Sequence, residues 1–251
     1  MTVHFTVIAG SDGQSFTKLA IPSAKAKDLH NENQNEFNMK TLVVFNHPHD
    51  GSFCNAILDA VQQGLKESGQ TSGLIHLDHD GFDPVMRAKD LKAFALAGKG
   101  FPEALDDVDP LVKKYKTKLE QAEHLVLIFP IWWMNMPAMM KGFIDKVIFP
   151  AIAYDMKGGL LKSRLPIRKV TVISTMNTPA DVYREHFNNA IEGNLINGTF
   201  RQIGIEEVEW ISLSMVKQAP QEERELWLEN IRIRFAKILR IVCIINVFAI
   251  K

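Results

Sequence analysis

The residues with the clearest chemical potential are two adjacent tryptophans, Trp132 and Trp133, within residues 129–137. They follow an apolar run at 125–129 that predicts a buried strand, and a helical pattern begins just after them at Pro137. In an open α/β sheet, ligands bind outside the carboxyl ends of the strands. A wide apolar surface at that edge suits a planar aromatic ligand such as a flavin ring. The alternative is a hydrophobic plug over the core.

The loop at residues 46–55, which follows the first apolar run of the chain, is a candidate anion site. Ser52 is placed to cap the next helix, and a helix N-terminus after a turn presents free backbone N–H groups to an anion. His47 is a candidate donor to a phosphate oxygen, and the alternative is a turn residue satisfied by the backbone. The loop has neither GxGxxG nor a Walker A lysine, which argues against a Rossmann NAD site and against a nucleotide hydrolase.

Alternating strands and helices have to position these loops. Residues 79–109 predict a long loop, and Gly158-Gly159 predicts a second one. Helical patterns separate the strands, which predicts a parallel sheet covered by helices on both faces. The expected fold is a three-layer α/β sandwich with five parallel strands in the flavodoxin-like order 2-1-3-4-5. The apolar runs that predict its strands lie at 41–45, 74–77, 125–129, 170–174 and 208–213.

The composition fits one soluble globular domain. The chain has 251 residues, is 46% hydrophobic and carries a formal net charge of zero, so its charge gives no argument for a nucleic-acid partner. Its two cysteines form no disulfide or metal-ligand pattern, and we therefore expect a reducing cytoplasm. No run approaches the roughly 20 apolar residues that a membrane span needs.

The two ends of the chain differ from its middle. Residues 1–38 finish in a polar run and predict a flexible N-terminal extension. Residues 39–240 are expected to form the domain, and residues 241–251 an apolar C-terminal tail. We expect the tail to pack on the body or on a partner subunit, and the alternative is a tail that lies on a membrane surface.

Taken together, these segments resemble the NAD(P)H:quinone reductases of the flavodoxin-like fold. The resemblance runs from about residue 39 to about residue 238 and is most specific in the tryptophan segment. The residues that carry it are His47 with Ser52-Phe53, Asp83-Pro84-Val85 with Arg87 and Asp90, Phe129-Pro130-Ile131-Trp132-Trp133, Pro137-Ala138 with Lys141-Gly142, and Ser174-Thr175.

The resemblance implies a bound flavin with NAD(P)H as co-substrate. FAD is favoured over FMN, because Asp83-Pro84-Val85 resembles the FAD-binding members. The long 79–109 segment agrees with room for an adenosine half or for a dimer contact. It also implies a slot for flat acceptors formed by Trp133, Met134 and Tyr154. The implied flavin contacts are His47, Ser52, Phe53 and Asn55 at the phosphates, Pro130, Ile131, Trp132, Trp133 and Met134 along the ring, and Thr175 and Asn177 at its pyrimidine end.

Tyr183 matches a tyrosine beside that end of the flavin, and better-known members pair it with a histidine in a proton relay. Asn189 stands at the position of that histidine, and the nearest histidine is His186. Tyr183 and His186 are therefore the catalytic candidates, and the alternative for His186 is an exposed helix residue. A second departure is Met176-Asn177, which replaces two glycines of the family pattern.

The implied function is two-electron, ping-pong hydride transfer from NAD(P)H through the flavin to quinones or similar flat acceptors, in a cytoplasmic homodimer. One alternative is a flavin-binding ancillary subunit of a potassium-efflux transporter, which the apolar tail would suit. Another is an azo- or nitroreductase, in which the same chemistry serves a different acceptor. A one-electron carrier is disfavoured, because such carriers are usually acidic and this chain is balanced in charge.

Overall fold

The computed structural model describes residues 40–236. The predicted extension, 1–38, and the predicted tail, 241–251, lie outside the described residues. Across residues 40–236, no helix is both long enough and apolar enough to span a membrane.

One five-stranded parallel sheet forms the centre of the fold, with the order β2-β1-β3-β6-β7. A separate antiparallel hairpin supplies β4 and β5, so the central sheet counted by its own strands has the predicted order 2-1-3-4-5, which is confirmed. The strands are β1 (Thr41–Phe45), β2 (Ser72–His76), β3 (His124–Pro130), β4 (Tyr154–Lys157), β5 (Leu160–Ser163), β6 (Lys169–Thr175) and β7 (Glu207–Leu213).

Helices cover both faces of the sheet and complete the three layers. On one face, α1 and α6 pack on the side chains of Val43 and Phe45. On the other face, α3 and α4 pack on Leu42 and Val44. Because both faces of β1 and β3 are covered, every residue of these two strands is buried. The helices are α1 (Phe53–Glu67), α2 (Ala88–Ala97), α3 (Pro110–Leu119), α4 (Ala138–Val147), α5 (Ala180–His186) and α6 (Gln221–Ala236).

The prediction of one long loop over residues 79–109 is wrong. The segment contains α2 and a 3-10 helix at Pro102–Asp107, and both bury apolar side chains on the core. At the start of α2 the Arg87 N–H donates to the Asp90 carboxylate at 2.8 Å, which satisfies a donor that a helix start leaves free. Such side-chain caps define a helix even where its apolar pattern is weak.

A buried lysine on α4 fastens this segment to the body. The Lys146 ammonium donates to the Asp83 carbonyl at 2.9 Å and lies 3.8 Å from the Asp90 carboxylate. Lys146 is only 4% exposed, so its charge is stabilised by these oxygens in place of water. One turn earlier, a side chain at Gly142 would lie 2.4 Å from the backbone of Pro84. The Asp83-Pro84 and Lys141-Gly142 pieces of the sequence pattern are thus two sides of one contact.

The loop predicted at Gly158-Gly159 is the turn of a β-hairpin. Strands β4 and β5 pair from Tyr154 with Ser163 to Lys157 with Leu160. Both glycines have positive φ, at 60° and 80°, as the favoured two-residue hairpin turns require. These strands carry no continuous apolar run, because they lie on the surface, and for that reason the sequence pattern missed them. A π-helix at Glu192–Phe200, which follows α5, was also not predicted.

His124, at the start of β3, is a buried imidazole. Its Nε2 lies 2.8 Å from the Thr171 hydroxyl, and its ring stacks on Phe235 at 6.0 Å between centroids. Burial, with a smaller contribution from the Lys169 charge, lowers the pKa of His124 to about 3. The folded protein therefore holds this imidazole neutral over most of the acid range.

We expect His124 to make stability depend on pH. Above pH 6.5, the ordinary pKa of histidine, the side chain is neutral in both the folded and the unfolded protein, and its contribution to stability is complete. Between pH 6.5 and about pH 3 the free energy of unfolding decreases as the pH falls, because only the unfolded chain takes up the proton. The free energy of unfolding decreases by about 1.4 kcal/mol per pH unit, or by about 2 kcal/mol in all at pH 5. Urea unfolding at pH 7 and pH 5 tests this against His124→Gln, which keeps a hydrogen-bonding side chain and does not titrate. An equal loss in both proteins would contradict the assignment.

Candidate functional site

Three loops meet at the carboxyl edge of the sheet. Pro130, at the end of β3, lies opposite Thr175, at the end of β6, so the loops that follow these strands leave the sheet side by side. The Ile131 N–H donates to the Thr175 carbonyl at 2.7 Å. The Thr175 hydroxyl lies 3.3 Å from the sulfur of Cys54 in the first turn of α1. Thr175 therefore joins the tryptophan loop to the loop at 46–55.

The loop at 46–55 is closed by its own polar side chains. Ser52 caps α1, and its Oγ accepts from the Asn55 backbone N–H at 3.3 Å. The Asn55 side-chain amide donates to Ser52 Oγ at 3.0 Å and to the His49 carbonyl at 2.9 Å. The start of α1 is therefore a preformed turn, which is the arrangement that binds phosphate groups elsewhere. Phe53 plays a different part, since its half-buried ring packs edge-on against Trp227 of α6 at 6.2 Å.

His47 connects this loop to the tryptophans. Its Nδ1 accepts from the His49 N–H at 3.1 Å, so the neutral ring carries its proton on Nε2. Its ring meets Trp132 edge-on, with the centroids 6.0 Å apart. Partial burial, opposed by the hydrogen bond from His49, lowers the pKa of His47 below its ordinary value. At neutral pH this side chain is thus a neutral donor beside the tryptophan loop.

The tryptophan segment is a tight two-residue turn. Trp132 and Asn135 exchange backbone hydrogen bonds of 2.9 and 3.1 Å, and the residues between them, Trp133 and Met134, have φ of 48° and 64°. A positive φ is rare for any residue but glycine and is a true outlier for a bulky one. The turn leaves the Trp133 side chain 98% exposed, while Trp132 is 47% exposed. Pro130 and Ile131, which precede the turn, are buried.

Tyr183 lies beneath this turn. Its side chain is 1% exposed, and its hydroxyl donates to the Met134 carbonyl at 2.8 Å. The same hydroxyl accepts from the Ile191 N–H at 3.2 Å. Burial raises the pKa of Tyr183, so the phenol keeps its proton at neutral pH. His186, at the end of α5, is exposed, and the hydroxyl of Tyr183 is bonded to backbone groups and not to His186.

The remaining residues that the resemblance singles out are Asn177, Tyr154 and Asn189. The Asn177 side-chain oxygen accepts from the Lys217 N–H at 3.1 Å, which ties the loop after β6 to the loop after β7. Tyr154 begins the surface hairpin and is half-buried, which raises the pKa of its phenol. Asn189 has a φ of 48°, and its side-chain oxygen is buried with no hydrogen-bond partner within residues 40–236.

Sequence reasoning missed two features of this edge. Asn46, the first residue after β1, is 2% exposed, and its amide donates to the Asp78 carboxylate at 2.9 Å. Its side-chain oxygen is buried and finds no hydrogen-bond partner in the described part of the chain. His76 and His79, at the end of β2, stack with their ring centroids 3.5 Å apart. A polar residue directly after a buried strand was the one available signal for Asn46.

The family model described as the flavodoxin-like fold matches residues 39–234. A curated relative, an uncharacterized NAD(P)H oxidoreductase of Haemophilus influenzae, is 27% identical over 194 residues, which are 76% of this chain and 91% of the relative. The ribosyldihydronicotinamide dehydrogenase [quinone] of Mus musculus is 25% identical over 148 residues, which are 54% of this chain and 64% of the relative.

Solved structures share the architecture. Smu.1420 from Streptococcus mutans has a TM-score of 0.66 at 28% identity, and the match covers 79% of this chain and all of that one (100%). An NAD(P)H:quinone oxidoreductase from Methanothermobacter marburgensis has a TM-score of 0.69 at 22% identity, over 79% and 98% of the two chains. An FMN-dependent NADH-azoreductase from Bacillus anthracis has a TM-score of 0.59 at 19% identity, over 80% and 99%. At such identities the last two show the fold alone.

The cap at Ser52 yields a prediction for the loop at 46–55. Ser52→Ala removes the acceptor for both Asn55 donors, and we expect it to lower the free energy of unfolding by about 1 kcal/mol. Ser52→Thr keeps a capping hydroxyl and serves as the matched control. Chemical denaturation of the two variants and the wild type measures the difference. Wild-type stability in Ser52→Ala would show that the cap does not hold the loop.

Proposed function

We propose, from the premise that the chain belongs to the flavodoxin-like fold family, that it is a flavin-dependent NAD(P)H oxidoreductase acting on quinones or similarly flat acceptors. The observation that carries the proposal is the turn that exposes Trp133 and whose Trp132 meets His47, beside the capped start of α1. The names of the two curated relatives, an NAD(P)H oxidoreductase and a quinone dehydrogenase, support the same chemistry.

The residues at the sheet edge fit a flavin nucleotide. The preformed start of α1 suits the phosphate group, since Ser52 and Asn55 already hold that loop in place. The neutral His47 ring can donate from Nε2 to a phosphate oxygen. The orphaned Asn46 oxygen is a buried acceptor that a ligand or a water would satisfy. Trp132, which meets His47, belongs to the loop that would hold the flavin beyond its phosphate.

A bound flavin supplies two-electron hydride chemistry, and the protein binds, orients and shields it. The backbone of the tryptophan turn is the surface along which the ring would lie. Backbone N–H groups of the loop after β6 can stabilise negative charge at the pyrimidine end, as preorganised donors do in other enzymes. Trp133, with Met134 and Tyr154, would form a stacking slot used in turn by the nicotinamide and by the acceptor, which is a ping-pong arrangement.

The identity of the flavin is a finer part of the proposal. The segment that favoured FAD, residues 79–109, is folded against α4, so its length is explained by packing and no longer argues for an adenosine half. FMN is the flavin named for one of the structural neighbours. The expectation of FAD is therefore not confirmed, and FMN is the first candidate for reconstitution.

Several expectations stay predictions. The homodimer and the cytoplasmic location have no test in residues 40–236. The ancillary-subunit alternative rests on the apolar tail at 241–251, which lies outside the described residues. An azo- or nitroreductase would use the same slot for another flat acceptor, and acceptor kinetics would separate it from a quinone reductase.

An absorbance spectrum of the purified full chain tests the proposed function directly. We expect flavin bands, either as purified or after addition of FMN or FAD, that NAD(P)H bleaches and a quinone restores. Release and chromatography of the chromophore identify the flavin. A colourless protein that takes up neither flavin would overturn the proposal and leave the tryptophan turn as a surface feature.

Replacement of Trp133 tests the stacking slot. Because the side chain is 98% exposed, Trp133→Ala is expected to fold normally and to keep its flavin. Loss of one aromatic stacking contact, about 0.5–1.5 kcal/mol, predicts a rise of about 2- to 13-fold in KM for a quinone. The control is Phe101→Ala, which removes an exposed aromatic ring just before the 3-10 helix at Pro102–Asp107. Unchanged quinone kinetics in Trp133→Ala would exclude this residue from the slot.

A further inference from the structure

The orientation of the Trp133 indole depends on the backbone that carries it. The side chain is 98% exposed, so no packing around the ring can hold it. Its direction is set by the turn at 132–135, in which Trp133 and Met134 both adopt left-handed backbone angles. Residues other than glycine leave that region readily unless the surrounding structure holds them there. The contacts that hold the turn therefore decide where the ring points.

One side-chain contact reaches the turn from below. The Tyr183 hydroxyl donates to the carbonyl of Met134, the second left-handed residue, at 2.8 Å. This bond fixes the peptide that closes the turn onto Asn135. The other anchor lies before the turn, where the Ile131 N–H donates to the Thr175 carbonyl. The turn is thus tied at its stem by β6 and at its far side by Tyr183.

Tyr183 is itself rigidly placed. Its ring packs edge-on against Trp210 at 5.9 Å, and the Trp210 indole N–H donates to the Ser174 hydroxyl at 2.9 Å. The Tyr183 hydroxyl also accepts from the Ile191 N–H at 3.2 Å, directly before the π-helix at Glu192–Phe200. Strands β6 and β7 therefore support a single phenol that connects the π-helix to the tryptophan turn.

We infer that Tyr183 is a positioning residue, which clamps the turn at 132–135 and so sets the place of the Trp133 stacking face. The stacking role of that face rests on the proposed function. The clamp uses the only proton of the phenol to hold the Met134 carbonyl. Tyr183 therefore differs from the proton-relay tyrosine that the family resemblance implies.

Amide exchange of the full chain without flavin tests the clamp. In Tyr183→Phe we expect the Asn135 and Ile191 amides to exchange about tenfold faster than in the wild type. The Ile191 N–H loses its acceptor, and the peptide that carries the Asn135 N–H loses the donor to its Met134 carbonyl. The matched control is Tyr115→Phe, since Tyr115 is equally buried and its hydroxyl donates to Asp80 at 2.9 Å, away from the turn. Unchanged exchange at Asn135 in Tyr183→Phe overturns the inference.

Two further measurements keep the clamp testable if Tyr183→Phe folds poorly. In the wild type, the Asn135 and Ile191 amides should have the same opening equilibrium, because one phenol holds both peptides. An Asn135 amide that opens tenfold more often than the Ile191 amide overturns the inference. Met134→Gly relaxes the left-handed strain while leaving the carbonyl in place. In that background the effect of Tyr183→Phe on Asn135 exchange should fall to about 2- to 3-fold. A tenfold effect of Tyr183→Phe in the Met134→Gly protein would contradict the role of Tyr183 in holding the strained turn.

Kinetics of the flavin-loaded protein separate a clamp from a relay. The clamp predicts a several-fold higher KM for 1,4-benzoquinone in Tyr183→Phe, with the shape of the kcat pH profile unchanged. A relay predicts a lower kcat, the loss of one ionisation from that profile and unchanged amide exchange, which would overturn the inference. If the protein takes up no flavin, the proposed function fails, while the exchange measurements still decide whether Tyr183 clamps the turn.

Discussion

The burial of both faces of the central sheet is the constraint on which the rest of the structure depends. Every residue of β1 and β3 is buried, so the side chains of these strands pack in the core. Parallel pairing then brings the loops after β1, β3 and β6 to one edge, where Thr175 joins them. The polar and aromatic groups at that edge are placed by the buried strands β1 and β3 and by Thr175, the last residue of β6. This arrangement is typical of doubly wound α/β proteins.

A second constraint is the charge buried on α4. Lys146 has the Asp83 carbonyl and the Asp90 carboxylate as oxygen partners, and Gly142 allows Pro84 to approach the helix backbone. Removing one partner of such a pair leaves an uncompensated buried charge, which is strongly unfavourable. The segment at 79–109 is therefore a fixed part of the domain. The Asp83-Pro84-Val85 segment, whose resemblance favoured FAD, is explained here by packing against α4.

The sheet order could be predicted, because a strand covered on both faces leaves a continuous apolar run, and most of the helices around it have a clear apolar pattern. The sheet order in turn places the candidate site at the carboxyl edge. The elements that were missed lack that signal. Strands β4 and β5 lie on the surface, and α2 is marked mainly by its cap at Asp90. The clamp could not be predicted, because the Tyr183 hydroxyl binds Met134, 49 residues away in the chain, and only the fold brings the two together.

The chemistry of the tryptophan turn explains why an acceptor slot here would select by shape. An indole face offers a large apolar surface for stacking, and its one polar group is an N–H donor at the ring edge. Trp133 is held by its backbone and not by neighbouring side chains, so few functional groups surround a stacked ring. A slot of this kind distinguishes flat from non-flat molecules and has little specificity for their substituents. Under the proposed function, such a slot would accept a broad range of flat molecules.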